Sequence, residues 1–217
     1  MDNIKKITNI PKGYPGIIEG TNEWYFIEEF ADGDCTLDEA VQMYNDEGLY
    51  KGSCCHLIHY PDGVVHSPFM CSENTYISKP VWDEGLYFLA AEFENKIIIL
   101  YHYDYVKKTN EVAARIPMDN ISSYNLELTA TPVSIYSFLR NKGFEIIWPD
   151  KLAVKIGEDE WFDFRNGDEL YFSSSFDDEC GNEHETVIVR DVKTGKIIEE
   201  YEGCAKLMPD GSVWRII

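Results

Sequence analysis

One phrase recurs along this chain. Trp24-Tyr25-Phe26 is followed by Phe30, Leu86-Tyr87-Phe88 by Phe93, and Leu170-Tyr171-Phe172 by Phe176. Each copy comes after an acidic residue or a glycine (Glu23, Gly85, Glu169), and each reads as a strand, because aromatic and aliphatic side chains fit a pleated, half-buried surface. The starts lie 62 and 84 positions apart, which leaves room for a degenerate copy between the second and third. A strand written this often ties the chain to a repeated β unit.

Hairpin signals downstream of two copies agree. Ile97 to Asp104 and Val112 to Ile116 flank Lys107-Lys108-Thr109-Asn110, and Val187 to Asp191 and Ile197-Ile198 flank Lys193-Thr194-Gly195-Lys196. Asn and Gly at such tips tolerate the positive φ of tight hairpin turns. A second hairpin mark is Pro61-Asp62-Gly63, matched by Pro209-Asp210-Gly211 and, more loosely, by Pro149-Asp150-Lys151. Proline sets the first corner of a turn and Asp-Gly completes it. The first and last copies also share an upstream Gly and Cys, Gly52 with Cys54 and Gly203 with Cys204.

Two segments read as short helices. Thr36 to Asn45 carries a capping box, Thr36 with Glu39, and places Leu37, Ala40, Val41 and Tyr44 at helical spacing. Thr131-Pro132, then Ile135, Tyr136 and Leu139, then Arg140, Lys142 and Gly143, has a cap, an early proline, basic residues near the end and glycine beyond.

A strand, a hairpin closing on Tyr-Asp or Arg-Asp, and another strand resemble a blade of a β-propeller. The residues that carry the resemblance are Leu86 to Ile116 and Leu170 to Glu200, with a weaker match at Trp24 to Val65. It implies four or five repeats in a single β-rich domain, 1–217, with Val213 to Ile217 pairing near Ile17-Ile18 to close a ring. The expected class is therefore mainly β and antiparallel, propeller-like with two short helices. A β-sandwich or an α+β fold is the alternative.

Charge narrows the function classes. Thirty-nine acidic side chains face nineteen basic ones, a formal charge of −20. Such a field repels phosphate backbones and anionic lipid and favours a basic protein partner. The amino terminus lacks an apolar signal segment, and the longest strongly apolar run, Ile97 to Tyr101, is far short of a membrane helix. A cytoplasmic protein is expected, with Cys35, Cys54, Cys55, Cys71, Cys180 and Cys204 as free thiols.

No cofactor fingerprint is present: no Gly-x-Gly-x-x-Gly, phosphate loop or Gly-x-Ser-x-Gly elbow. Cys54-Cys55-His56-Leu57-Ile58-His59, with His66 and Cys71 beyond, is the densest set of ligand-type residues. Strand alternation places Cys54 with His56 on one face and Cys55 with His59 on the other. No face gathers four ligands locally, so no metal is expected there. The binding candidates are the acidic loops after the repeated strand, Asp32 and Asp34 in one copy and Asp177, Asp178 and Glu179 in another. Glu28, Glu29 and Glu92 are the carboxylates that would serve a carbohydrate-active hydrolase, which with a sugar-binding propeller is the alternative to a non-enzymatic binding protein.

Overall fold

Alternating strands and tight turns run through the computed structural model, which describes residues 4–139, 143–157, 159–177 and 183–217. Strands take up 51% of the chain and helix 7%, so it is mainly β, and among the described residues no sheet closes into a barrel. The strands pair antiparallel within each sheet, and a parallel bridge joins Glu19 to Val81. The chain divides into two compact units, Met1–Tyr124 and Asn125–Ile217.

In the first unit, β1 (Gly16–Ile17), β2 (Trp24–Phe30), β3 (Ser53–His59) and β4 (Val65–His66) pair in chain order as sheet A. The helix α1 (Leu37–Glu47) is inserted between β2 and β3. It begins on the expected capping box: the Glu39 amide donates to Thr36 Oγ1 at 3.3 Å, and the Thr36 amide to the Glu39 carboxylate at 2.7 Å. It stops at Gly48, whose φ of 72° suits a residue without a Cβ. Sheet B comes next. Both β5 (Thr75–Ile77) and β6 (Val81–Trp82) pair with β7 (Leu86–Glu92), and β8 (Ile97–Asp104) and β9 (Thr109–Pro117) complete the sheet. Pro80, which has no N–H to donate, parts β5 from β6.

The second unit repeats the plan. Sheet C comprises β10 (Leu126–Thr129), β11 (Ser134–Leu139), β12 (Gly143–Trp148) and β13 (Leu152–Val154). Sheet D comprises β14 (Glu160–Asn166), β15 (Glu169–Asp177), β16 (Glu183–Asp191) and β17 (Ile197–Glu202). A two-stranded sheet E joins β18 (Cys204–Leu207) to β19 (Val213–Ile216). Val213–Ile216 thus takes β18 as its partner, and Gly16–Ile17 takes β2.

The recurring phrase is second in the hydrogen-bonded order of its sheet each time: β2, β7 and β15. The degenerate copy is β11, and this corrects the second expected helix. Ser134–Leu139 pairs with β10 on one side and β12 on the other. Val133 and Ile135 are β-branched and Tyr136 and Phe138 aromatic, types that favour a strand. Thr131, at φ 59°, is a turn residue and not a helix cap. Arg140 and Lys142 lie outside the described residues.

The two hairpin marks fill one role. Pro-Asp closes β3 to β4, β12 to β13 and β18 to β19, whereas the Lys-Thr turns close β8 to β9 and β16 to β17. In four of these turns an aspartate oxygen accepts backbone N–H groups that the turn leaves unpaired. Asp62 accepts from Val64 at 3.0 Å, Asp104 from Lys107 at 2.9 Å, Asp191 from Thr194 at 2.8 Å and Asp210 from Ser212 at 3.0 Å.

Central strands are buried on both faces. Leu86, Phe88, Leu89, Ala90 and Ala91 of β7 are all buried, which explains why its sequence does not alternate. Edge strands β9 and β17 are exposed and carry charges such as Glu111, Arg115, Glu199 and Glu200, which discourage further pairing. In the first unit, Trp24, Cys55 and Leu57 of sheet A pack with Leu86, Phe88 and Tyr103 of sheet B. In the second, Phe144 of sheet C and Phe172 of sheet D meet edge to face at 5.3 Å, with Phe162 4.5 Å from Phe144.

Phe172→Ala is expected to cost about 3–5 kcal/mol, because it leaves a cavity among packed rings. Thr36→Ala is expected to cost about 1 kcal/mol through the lost cap. Denaturant midpoints measure both.

Candidate functional site

The site grows from the pairing of β2 with β3. Glu28 lies opposite Cys55, Glu29 opposite Cys54, and Ile27 opposite His56. Directly opposed residues share a face, and neighbours along a strand alternate. One face of sheet A therefore carries Trp24, Cys55 and Leu57 into the core, and the other carries Glu29, Cys54 and His56.

On that second face the side chains touch. His56 Nε2 lies 2.9 Å from Glu29 Oε2 and 3.8 Å from Cys54 Sγ, and Cys54 Sγ lies 3.7 Å from Glu29 Oε2. Cys71 joins them from the segment between β4 and β5. Its Sγ, Cys54 Sγ and a Glu29 carboxylate oxygen all lie within 4.8 Å of one another. The Cys71 thiol also donates to the Glu29 backbone carbonyl at 3.9 Å. Ser67 Oγ is 2.9 Å from His56 Nδ1 and fixes the ring so that Nε2 faces the Cys54 thiol and the Glu29 carboxylate. Cys54 is buried, whereas Glu29 and Cys71 are exposed, so solutes reach the cluster from one side.

The backbone brings Cys71 in through a close approach. A Cβ on Gly52 would sit 2.2 Å from the Ser72 carbonyl oxygen, and Gly52 has φ 98°, a region that favours glycine. The amide of Asn74 donates to the Tyr50 carbonyl at 2.7 Å, and the Tyr50 amide to Asn74 Oδ1 at 2.9 Å. Gly203 has the matching role beside Cys204, where a Cβ would meet the Ile216 carbonyl at 2.1 Å.

Burial holds the Cys54 thiol well above its ordinary pKa, and its neighbours Cys71 and Glu29 push it the same way. A bare Cys54 is therefore a neutral thiol, and a cation arriving at the site must displace its proton. Two sulfurs, an imidazole nitrogen and a carboxylate oxygen are a donor set for zinc rather than for calcium or magnesium. Around a tetrahedral zinc, sulfur-to-nitrogen and sulfur-to-oxygen separations are about 3.5 Å and nitrogen-to-oxygen about 3.3 Å, from the usual bond lengths. The observed 3.8, 3.7 and 2.9 Å among Cys54, His56 and Glu29 lie close to those values, and Cys71 Sγ comes within 4.8 Å of Cys54 Sγ and the Glu29 oxygen.

The remaining candidates fall elsewhere. Cys55 is in the core. His59 stacks at 4.7 Å on Trp24 and pairs with Asp62 at 3.0 Å, and His66 Nδ1 meets the Tyr103 hydroxyl at 3.1 Å. Asp32 forms an ion pair with Lys51. Burial raises the pKa of the Cys35 thiol, and Glu39, Asp34 and Asp32 add to the rise. Asp177 ends β15 in the second unit, and Asp178, Glu179 and Cys180 lie outside the described residues. Of the three carboxylates considered for hydrolysis, Glu29 belongs to the thiol cluster and Glu92 accepts from Asn95 at 2.7 Å. Glu28 projects from the opposite face of β2, where burial raises its pKa and Lys79 opposes the rise.

No protein-family model matches this chain, and no curated protein matches it. Among solved structures it is similar to the crystal structure of Porphyromonas gingivalis dipeptidyl peptidase 4, at 11% identity and a TM-score of 0.38. That alignment covers 85% of this chain and 29% of the other. No helix among the described residues is long and apolar enough to cross a membrane.

Gly52→Ala is expected to push Ser72 away and loosen the segment that carries Cys71. Amide exchange at Asn74 should accelerate at least tenfold while Leu57 stays protected; equal protection at both would show that the approach does not hold the segment.

Proposed function

We propose that this chain is a non-enzymatic binding protein whose built site takes a zinc ion between Cys54, Cys71, His56 and Glu29. The observation that carries this reading is the convergence of two thiols and a carboxylate within 4.8 Å of one another, with the His56 imidazole 2.9 Å from that carboxylate and 3.8 Å from Cys54 Sγ. Donors from three parts of the chain give the ion a structural role, tying β2, β3 and the segment before β5 together. The meander of four antiparallel strands supports a propeller-like reading of the repeat, with β18 and β19 as part of a further unit; a sandwich-like reading is compatible with the same sheets.

A second role, binding a basic protein partner through the acidic surface, is favoured by the formal charge of −20. Capture of such a partner should weaken steeply as salt is raised.

Zinc binding is tested on the reduced, metal-free chain. At a free zinc concentration a hundred times the dissociation constant, stability should rise by about 2.7 kcal/mol, read as a shift in denaturant midpoint. Glu29→Gln, an exposed change, should leave the metal-free midpoint within about 0.5 kcal/mol and reduce the zinc-dependent shift. Ser67→Ala should weaken affinity by about 10- to 100-fold through the freed imidazole. Equal zinc uptake by the double variant Cys54→Ser, Cys71→Ser would refute the site.

A further inference from the structure

We propose that Cys54 and Cys71 are also a redox pair, and that oxidation by a hydroperoxide joins them as a disulfide and expels the metal. The inference rests on the zinc reading and concerns the regulation of that site. Its basis is geometric: the two Sγ atoms lie within 4.8 Å of each other, one buried and one exposed. The exposed sulfur meets a small oxidant first, and the buried one is shielded from it and within reach to resolve the product. Cys71 lies on the segment between β4 and β5, so it can close the remaining distance, whereas Cys54 is fixed in a strand paired along its whole length.

The chemistry balances in two steps. The Cys71 sulfur attacks the peroxide O–O bond; an S–O bond forms, the O–O bond breaks, and the departing oxygen leaves as water or an alcohol after taking a proton. The product is a sulfenic acid at Cys71. The Cys54 sulfur then attacks the Cys71 sulfur, the S–S bond forms, the S–O bond breaks, and water leaves. In the metal-free chain His56 Nε2, 3.8 Å from Cys54 Sγ, is placed to take the Cys54 proton; in the zinc-loaded chain that sulfur is already a thiolate and the departing hydroxide takes its proton from water. The two sulfurs together lose two electrons and the hydroperoxide gains them. A zinc ion held by these residues loses both sulfur donors at once, and His56 with Glu29 cannot retain it alone.

Zinc-loaded, reduced full-length protein is titrated with hydrogen peroxide. Released zinc is followed with a chromogenic chelator, and linked peptides are mapped by mass. The expected result is one zinc released per Cys54–Cys71 link, both reversed by dithiothreitol. A parallel titration of the metal-free chain should give the same link. Zinc retained after the link has formed, or thiols consumed with no Cys54–Cys71 link in either titration, would overturn the inference while leaving the zinc site standing. A reduced chain that takes up no zinc would overturn the zinc reading and with it the expulsion step, even where the metal-free chain still forms the link.

Discussion

Seven consecutive pairs join β2 to β3, from Trp24 opposite His59 to Phe30 opposite Ser53, and the first unit depends on that register. A slip of one residue would turn every side chain of one strand to the other face. Cys54 and His56 would turn into the packing against sheet B, and Leu57, fully buried now, would lose its place beside Leu86 and Phe88. Trp24 and Leu57 thus fix the register by packing against Leu86 and Phe88. The same register delivers Glu29, Cys54 and His56 to one patch on the opposite face. Core packing and site assembly are two results of a single pairing.

The second constraint is the approach of Ser72 to Gly52, which replaces side-chain volume with backbone contact and brings Cys71 alongside Cys54. Without a cation the cluster rests on weaker links: an imidazole–carboxylate contact, long thiol contacts and a buried neutral thiol. Zinc binding would exchange these for bonds to a metal and lower the energy of the thiolates that burial disfavours. The excess of acidic groups over the chain raises the local concentration of any cation near the surface.

Much of the fold was legible because its signals are local. The aromatic phrase marks second strands, aspartate marks turn tips, and the Thr36–Glu39 box marks the start of α1. The segment read as a second helix is the one whose phrase has decayed. Ile135, Tyr136 and Leu139 fit a helical spacing by coincidence, and only the flanking strands β10 and β12 decide the matter. The site was half legible. Cys54 and His56 sit two apart on a strand, so their shared face came from alternation. Glu29 and Cys71 are distant in sequence, and their arrival depends on a strand register and a backbone approach that no spacing encodes. Gly52 close to Cys54 was the available signal, since a glycine at the start of a strand marks a close backbone neighbour.

X-ray absorption at the zinc edge of the reconstituted, reduced protein would decide most directly whether Cys54 and Cys71 hold the ion. Two sulfur neighbours at about 2.3 Å and two nitrogen or oxygen neighbours at about 2.0–2.1 Å are expected. A first shell of oxygen and nitrogen alone would contradict the zinc site, and would place the ion on surface carboxylates instead of between the two thiols.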